Sequence, residues 1–144
     1  MARPEPSSRS AYKAFVPLTT RWSDNDAYGH MNNVVHYALF DTAVNQYLIE
    51  QGALDIRGGE QIGLVVETRC SYFAEMAFPD RVTAGLRADR VGNSSVTYGI
   101  GLFRGDADEA AAEGRFTHVY VGRETRRPEP LSRTLRETVE AIAA

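Results

Sequence analysis

The stretch Arg21-Trp22-Ser23-Asp24-Asn25-Asp26-Ala27-Tyr28-Gly29-His30-Met31-Asn32-Asn33-Val34-Val35-His36-Tyr37 decides how this chain is read. A short β-type run, Phe15 to Trp22, ends there, a polar loop follows, and a long apolar helix begins. Two carboxylates, a glycine, a histidine and two amides fall between Asp24 and Asn33. Such groups at the start of a helix meet unpaired backbone N–H groups and the positive end of the helix dipole, a setting that favours developing negative charge.

Working outward, the pattern from Asn33 to about Gln51 is helical, with Gly52 placed as a C-cap glycine. Tyr37, Phe40, Val44, Tyr47 and Leu48 form a stripe at helical spacing that Val34, Val35, Ala38 and Leu39 widen, so the helix is expected to be buried. Beyond Gly58-Gly59 the period becomes two. Ile62, Leu64, Val66, Cys70 and Tyr72 alternate with Gly63, Glu67, Arg69 and Ser71, as in a long half-buried strand. Phe78-Pro79-Asp80 turns into a run from Val82 to Ala88, and a Gly92-Asn93 hairpin signal leads to Val96, Tyr98, Ile100 and Leu102. A last strand covers about Ala111 to Gly122, and Leu131, Leu135, Val139 and Ile142 make a short amphipathic helix. No helical pattern separates the later strands, which excludes a parallel βαβ sheet and points to α+β: an antiparallel sheet wrapped around one long central helix.

Composition narrows the function classes. The 144 residues suit one domain with an ordinary core, and a net charge of −3 gives no electrostatic case for nucleic acid or an anionic membrane. No apolar run approaches the roughly 20 residues of a membrane span. Residues 1–11 lack a signal-peptide pattern and read as a disordered lead-in to a domain over 12–144. The single cysteine, Cys70, allows no internal disulfide, which fits a cytoplasmic location. On the apolar side of its strand it reads as a small buried hydrophobe. The three histidines show no metal-ligand spacing, so no metal is expected. His36 and His118 read as structural.

The segment D-x-D-x-x-G-H-x-N-N, Asp24 to Asn33, resembles the signature of the hotdog-fold acyl-CoA thioesterases of the 4-hydroxybenzoyl-CoA thioesterase-like family. Val66–Tyr72, Pro79–Val82, Gly92–Val96, Gly114–Val121 and Arg127-Pro128 are similar to its later strands and turns, so the resemblance covers roughly residues 12–143. It implies a hotdog fold, hydrolysis of an acyl-CoA to free acid and CoA without a separate cofactor, and a homodimer or homotetramer with the acyl pocket between subunits. It gives Asp26 the role of general base or nucleophile, either of which a carboxylate can fill in thioester hydrolysis. Gly29 would allow close ligand approach or positive φ, and the N–H at or near Asn33 would polarise the thioester carbonyl.

Each of these residues has a plainer reading. Asp24 and Asp26 suit turn or cap positions, and Asn32 reads as a helix cap. His30 either orients Asp26 or the attacking water, or packs as a neutral hydrogen-bonded ring. Arg126 and Arg127, with the Ser94-Ser95 turn, are candidates for the CoA phosphates, against which stands an ordinary solvated arginine pair. Two other functions stay open: a hotdog hydratase or dehydratase acting on acyl thioesters, with His36 as its histidine, and a non-enzymatic acyl-CoA-binding module. The acyl group, and the choice between CoA and carrier-protein thioesters, are not legible in the sequence.

Overall fold

The computed structural model describes residues 4–144. Five strands, β1 (Ala14–Leu18), β2 (Gln61–Tyr72), β3 (Val82–Val91), β4 (Ser95–Arg104) and β5 (Ala112–Gly122), form one sheet in the order β1-β3-β4-β5-β2, and every neighbouring pair is antiparallel. Helix α1 (Val35–Glu50) lies across one face, and the short α2 (Arg133–Glu140) closes one end. This is the expected α+β hotdog arrangement.

The seven buried residues of α1, His36, Leu39, Phe40, Ala43, Val44, Tyr47 and Leu48, recur at three- and four-residue steps and define the face against the sheet. Tyr37, expected in the buried stripe, and Val34 and Ala38, expected to widen it, are exposed instead and lie outside the face that α1 buries. Leu39, Phe40, Ala43, Val44, Tyr47 and Leu48 share one buried cluster with Val96, Tyr98, Ile100 and Leu102 of β4 and with Phe116 and Tyr120 of β5. Phe40 sits on the bare backbone of Gly114, where a Cβ would collide with its ring. Gly52 takes φ +74° past the end of α1, the left-handed conformation of a C-cap glycine.

The opposite face carries a second small cluster, Tyr12, Phe103 and Ala110. A Cβ on Gly85 or Gly101 would come within 2.7 Å of the Tyr12 side chain, so the two glycines form its seat. The expected disordered lead-in over 1–11 is corrected here for residues 7–11. The Arg9 N–H donates to the Asp108 carbonyl at 3.1 Å, its side chain donates to the Ala107 and Gly105 carbonyls, and the Ser7 hydroxyl bonds Tyr12 Oη at 2.9 Å. Residues 1–3 lie outside the described residues.

Strand β2 is an edge, and its apolar residues do not alternate between core and solvent as expected. Leu64, Val65 and Val66 are 39%, 50% and 60% exposed around an irregularity in the β2–β5 pairing, and Tyr72 is 40% exposed. Cys70 is half-buried rather than buried. Among the described residues no strand pairs with this side of β2, which leaves a backbone edge flanked by apolar side chains.

His118, on β5, is buried among Tyr98, Phe116 and Tyr120, with Tyr120 Oη 3.4 Å from its Nδ1 and, among the described residues, no partner for Nε2. Burial pushes its pKa from 6.5 down to about 4, so the folded ring stays neutral where an unfolded one takes up a proton.

Two measurements check this packing. Gly114→Ala should destabilise the protein by about 1–3 kcal/mol in denaturant unfolding through overpacking against Phe40; a change within about 0.5 kcal/mol would contradict the contact. Because the unfolded chain binds the proton at His118 first, stability should fall as pH drops from 6.5 towards 4. A folded His118→Gln protein should lose up to about 1.4 kcal/mol per pH unit of that slope. Equal slopes for the two proteins would refute the account of His118.

Candidate active site

The loop between β1 and α1 is built by its own side chains. Asp24, 2% exposed, accepts the Arg21 backbone N–H at 2.7 Å and the Arg21 guanidinium at 3.0 and 3.1 Å, while its carbonyl accepts the Asn32 N–H at 2.8 Å. Its carboxylate is spent on closing the loop, in agreement with a structural role. Between these anchors residues 26–30 form a tight reversal in which the Asp26 N–H donates to the His30 carbonyl at 2.7 Å. Gly29 has φ +80°, and a Cβ there would meet nothing within 4 Å, so the turn requires its conformation and not its small size.

Asp26 is half-buried, and its Oδ1 accepts the backbone N–H groups of Tyr28 at 2.8 Å and His30 at 3.2 Å. Its Oδ2 has no hydrogen-bond partner among the described residues. The carboxylate is therefore aimed by the loop while one oxygen stays free to act. His30 turns away from it: its Nε2 lies 3.1 Å from Glu75 Oε2. What His30 gives Asp26 is its backbone N–H.

The helix begins two residues later than the sequence pattern suggests. Asn32 caps the entry turn, its Oδ1 accepting the Val34 N–H at 3.1 Å and its carbonyl accepting the Val35 N–H at 2.9 Å. Among the described residues the Asn33 N–H has no acceptor. The Asn33 carbonyl accepts the Tyr72 hydroxyl at 2.6 Å.

A cleft of about 250 Å³ opens at this point, lined by His30, Met31, Asn33, His36, Tyr72 and Glu75 with the apolar walls of Phe73 and Met76. His36 is 4% exposed and packs edge-on against Tyr72 with ring centroids 4.8 Å apart. Burial lowers its pKa; the nearby Asn32 and Asn33 carbonyls oppose this in part, yet among the described residues Nδ1 has no hydrogen-bond partner. A larger groove of about 460 Å³ runs between β1 and α1 past Asp24, whose carboxylate is already committed.

Of the sequence candidates, the fold thus brings His30 and Asn33 into the cleft and holds Asp26 and Gly29 in the loop bordering it. The other four do not join them within one chain. Leu18 pairs with Val82 at one end of β3, whereas Ser94 and Ser95 follow the other end, at Val91. Arg126 and Arg127 follow Gly122, which pairs with Gln61, at the far end of β2 from Tyr72. A strand of that length separates the groups by about 30 Å. Arg126, at φ 60°, also folds its side chain back to donate to the Arg123 carbonyl at 3.2 Å.

Tyr72 and Glu75, which reach the cleft through β2, are the site residues that sequence reading missed; His36, structural in the hydrolase reading and the key histidine only in the hydratase alternative, also lines the cleft. Among the described residues no group of three or more histidine, cysteine or acidic side chains is placed to hold a metal ion, and no helix is long and apolar enough to cross a membrane.

Comparison with known proteins places this geometry. Residues 20–139 match the model of the thioesterase-like superfamily, a span that includes the loop from Thr20 onward, α1 and the sheet except β1. The crystal structure of the PA5185 protein from Pseudomonas aeruginosa is 55% identical and superimposes with a TM-score of 0.94 over 98% of both chains. Slr0204 of Synechocystis, a 1,4-dihydroxy-2-naphthoyl-CoA thioesterase, shares the fold at 15% identity, with a TM-score of 0.78 over 87% of this chain and 93% of that one. Protein YsmA of Bacillus subtilis is 22% identical over 89 residues, 62% of this chain, and the match spans 60% of that relative's length. With most of its length under the family model, and the signature loop and hotdog sheet both in place, the chain belongs to the thioesterase-like superfamily.

Proposed function

We propose that this protein hydrolyses an acyl-CoA thioester to the free acid and CoA at the junction of the β1–α1 loop and the N-terminus of α1. The observation that carries the reading is the pairing of a loop-held carboxylate, Asp26, whose Oδ2 is free, with an unpartnered N–H at Asn33 beside an apolar cleft. Superfamily membership supports the reaction class.

In the general-base route Asp26 takes a proton from water as the oxygen attacks the thioester carbon. The carbonyl oxygen becomes an oxyanion facing the Asn33 N–H, and collapse expels the CoA thiolate, which recovers the proton. In the nucleophilic route Asp26 attacks first, CoA thiolate leaves, and water then cleaves the mixed anhydride. Both routes need the same aimed carboxylate and the same donor. Asp26 and Asn33 serve catalysis, Gly29 permits the turn that aims Asp26, and the His30 N–H holds its Oδ1.

We also propose that the working form is a homodimer or a larger homo-oligomer. An edge strand of twelve residues with three exposed apolar side chains in a row is a surface that a second copy can cover by antiparallel pairing about a two-fold axis. Antiparallel pairing reverses direction, so the Gln61 end of the second copy's β2 would lie towards Tyr72 of the first. That is the arrangement in which Arg126 and Arg127, distant from Asp26 within one chain, approach the other chain's cleft and its CoA phosphates.

A second reading, hydration or dehydration of an acyl thioester, is favoured by one feature: the neutral, buried His36 in the cleft wall, whose Nδ1 lacks a partner among the described residues. Loss of enoyl-thioester absorbance without thiol release would select it over hydrolysis.

Asp26→Asn should fold as wild type and lose on the order of 10²-fold or more in thiol release from acyl-CoA, since shape is kept while the base or nucleophile is removed. Near wild-type turnover by that folded variant would remove Asp26 from the mechanism. If β2 pairs between copies, replacing Val65 with Asp should shift the species seen by light scattering from oligomer to monomer. A wild-type protein that is monomeric and fully active at all concentrations would contradict the assembly.

A further inference from the structure

The Asn33 N–H owes its orientation to groups on three sides of it. The peptide unit before Asn33 is fixed through the Asn32 carbonyl, which accepts the Val35 N–H at 2.9 Å. The unit after it is gripped at both ends: its N–H, that of Val34, donates to Asn32 Oδ1 at 3.1 Å, and its carbonyl accepts the Tyr72 hydroxyl at 2.6 Å. Each peptide unit is planar, so holding both units leaves Asn33 no soft rotation about which its own N–H can swing. Two of these three restraints are local and come from the cap residue. The third crosses from the sheet to the helix terminus, and Tyr72 alone supplies it.

Tyr72 is not placed as a packing residue. It stands on the last position of β2, 40% exposed, with its ring against His36 and its hydroxyl on the one backbone carbonyl that follows the free donor. Burial and its neighbours raise its pKa, so the hydroxyl keeps its proton to donate. The Asn33 turn is itself exposed, so water can replace a lost hydrogen bond there and global stability has little stake in it.

We propose that Tyr72 is a positioning residue: its hydroxyl, donated to the Asn33 carbonyl, holds the Asn33 N–H aimed into the cleft as the donor to the substrate carbonyl oxygen. This rests on the thioester-hydrolase reading of the site and adds to it a residue from β2. A donor that must meet an oxyanion gains from being held in place before the reaction, because reorienting it then costs rate and not substrate affinity.

Tyr72→Phe keeps the ring on His36 and removes only the hydroxyl. Its kcat for acyl-CoA should fall by about tenfold to a hundredfold, with KM within about twofold and the melting temperature unchanged. In ¹H–¹⁵N spectra of the ligand-free protein the Asn33 and Val34 amide signals should shift or broaden, while those of β4 stay in place. A melting temperature that falls while kcat holds would assign Tyr72 a structural role and overturn the proposal, as would unchanged Asn33 and Val34 signals. If wild type hydrolyses no acyl-CoA, the functional reading fails by itself, and the amide signals still decide whether the hydroxyl fixes the Asn33 turn.

Discussion

Phe40 resting on the uncovered backbone of Gly114 sets the distance between α1 and the sheet, and the position of everything at the end of α1 follows from it. With no Cβ at Gly114, the ring of Phe40, within the buried stripe from His36 to Leu48, can come down onto the sheet backbone. The helix then lies close enough for the hydroxyl of Tyr72 to span from the edge strand to the Asn33 carbonyl. A helix standing further off would keep its secondary structure and lose the cleft. Packing at the core and chemistry at the rim are thus one constraint, since close-packed interiors transmit displacement rather than absorb it.

The two aspartates of the loop show how neighbouring identical groups are given different tasks by their surroundings. Asp24 is buried, with both oxygens engaged by Arg21, and it makes the loop a rigid frame. Asp26 is pinned through one oxygen only, by N–H groups that the Gly29 turn folds back towards it. Rigidity at Asp24 is what makes the direction of Asp26 meaningful. The same economy governs the helix start, where Asn32 satisfies Val34 and Val35 and leaves the Asn33 donor unused.

Much of this was legible in the sequence, for reasons that also explain what was not. The loop residues and the start of α1 lie within ten positions, so local chemistry alone marks them, and the period change after Gly59 marks the strands. The exposure of Leu64 to Val66 could not be read, because an edge strand with one open side has the same apolar pattern as one covered from within. Tyr72 and Glu75 lie some forty residues beyond the loop, and β2 has to run its full length before they meet Asn33 and His30. The lead-in from Ser7 to Ala11 looked featureless because what orders it, Tyr12 seated on Gly85 and Gly101, depends on strands far along the chain. Ser94, Ser95, Arg126 and Arg127 show what sequence chemistry alone does not carry: the register places them, within one chain, at the other end of the sheet from the loop.

Conversion of acyl-CoA to free acid and CoA by the purified protein is the most direct test of the site. Incubation with a panel of aromatic, short-chain and long-chain acyl-CoAs, following free thiol and the released acid by mass spectrometry, should give the two products in equal amounts for at least one class. Saturable binding of those thioesters with neither product formed would contradict a hydrolase and leave the fold serving as a binding module.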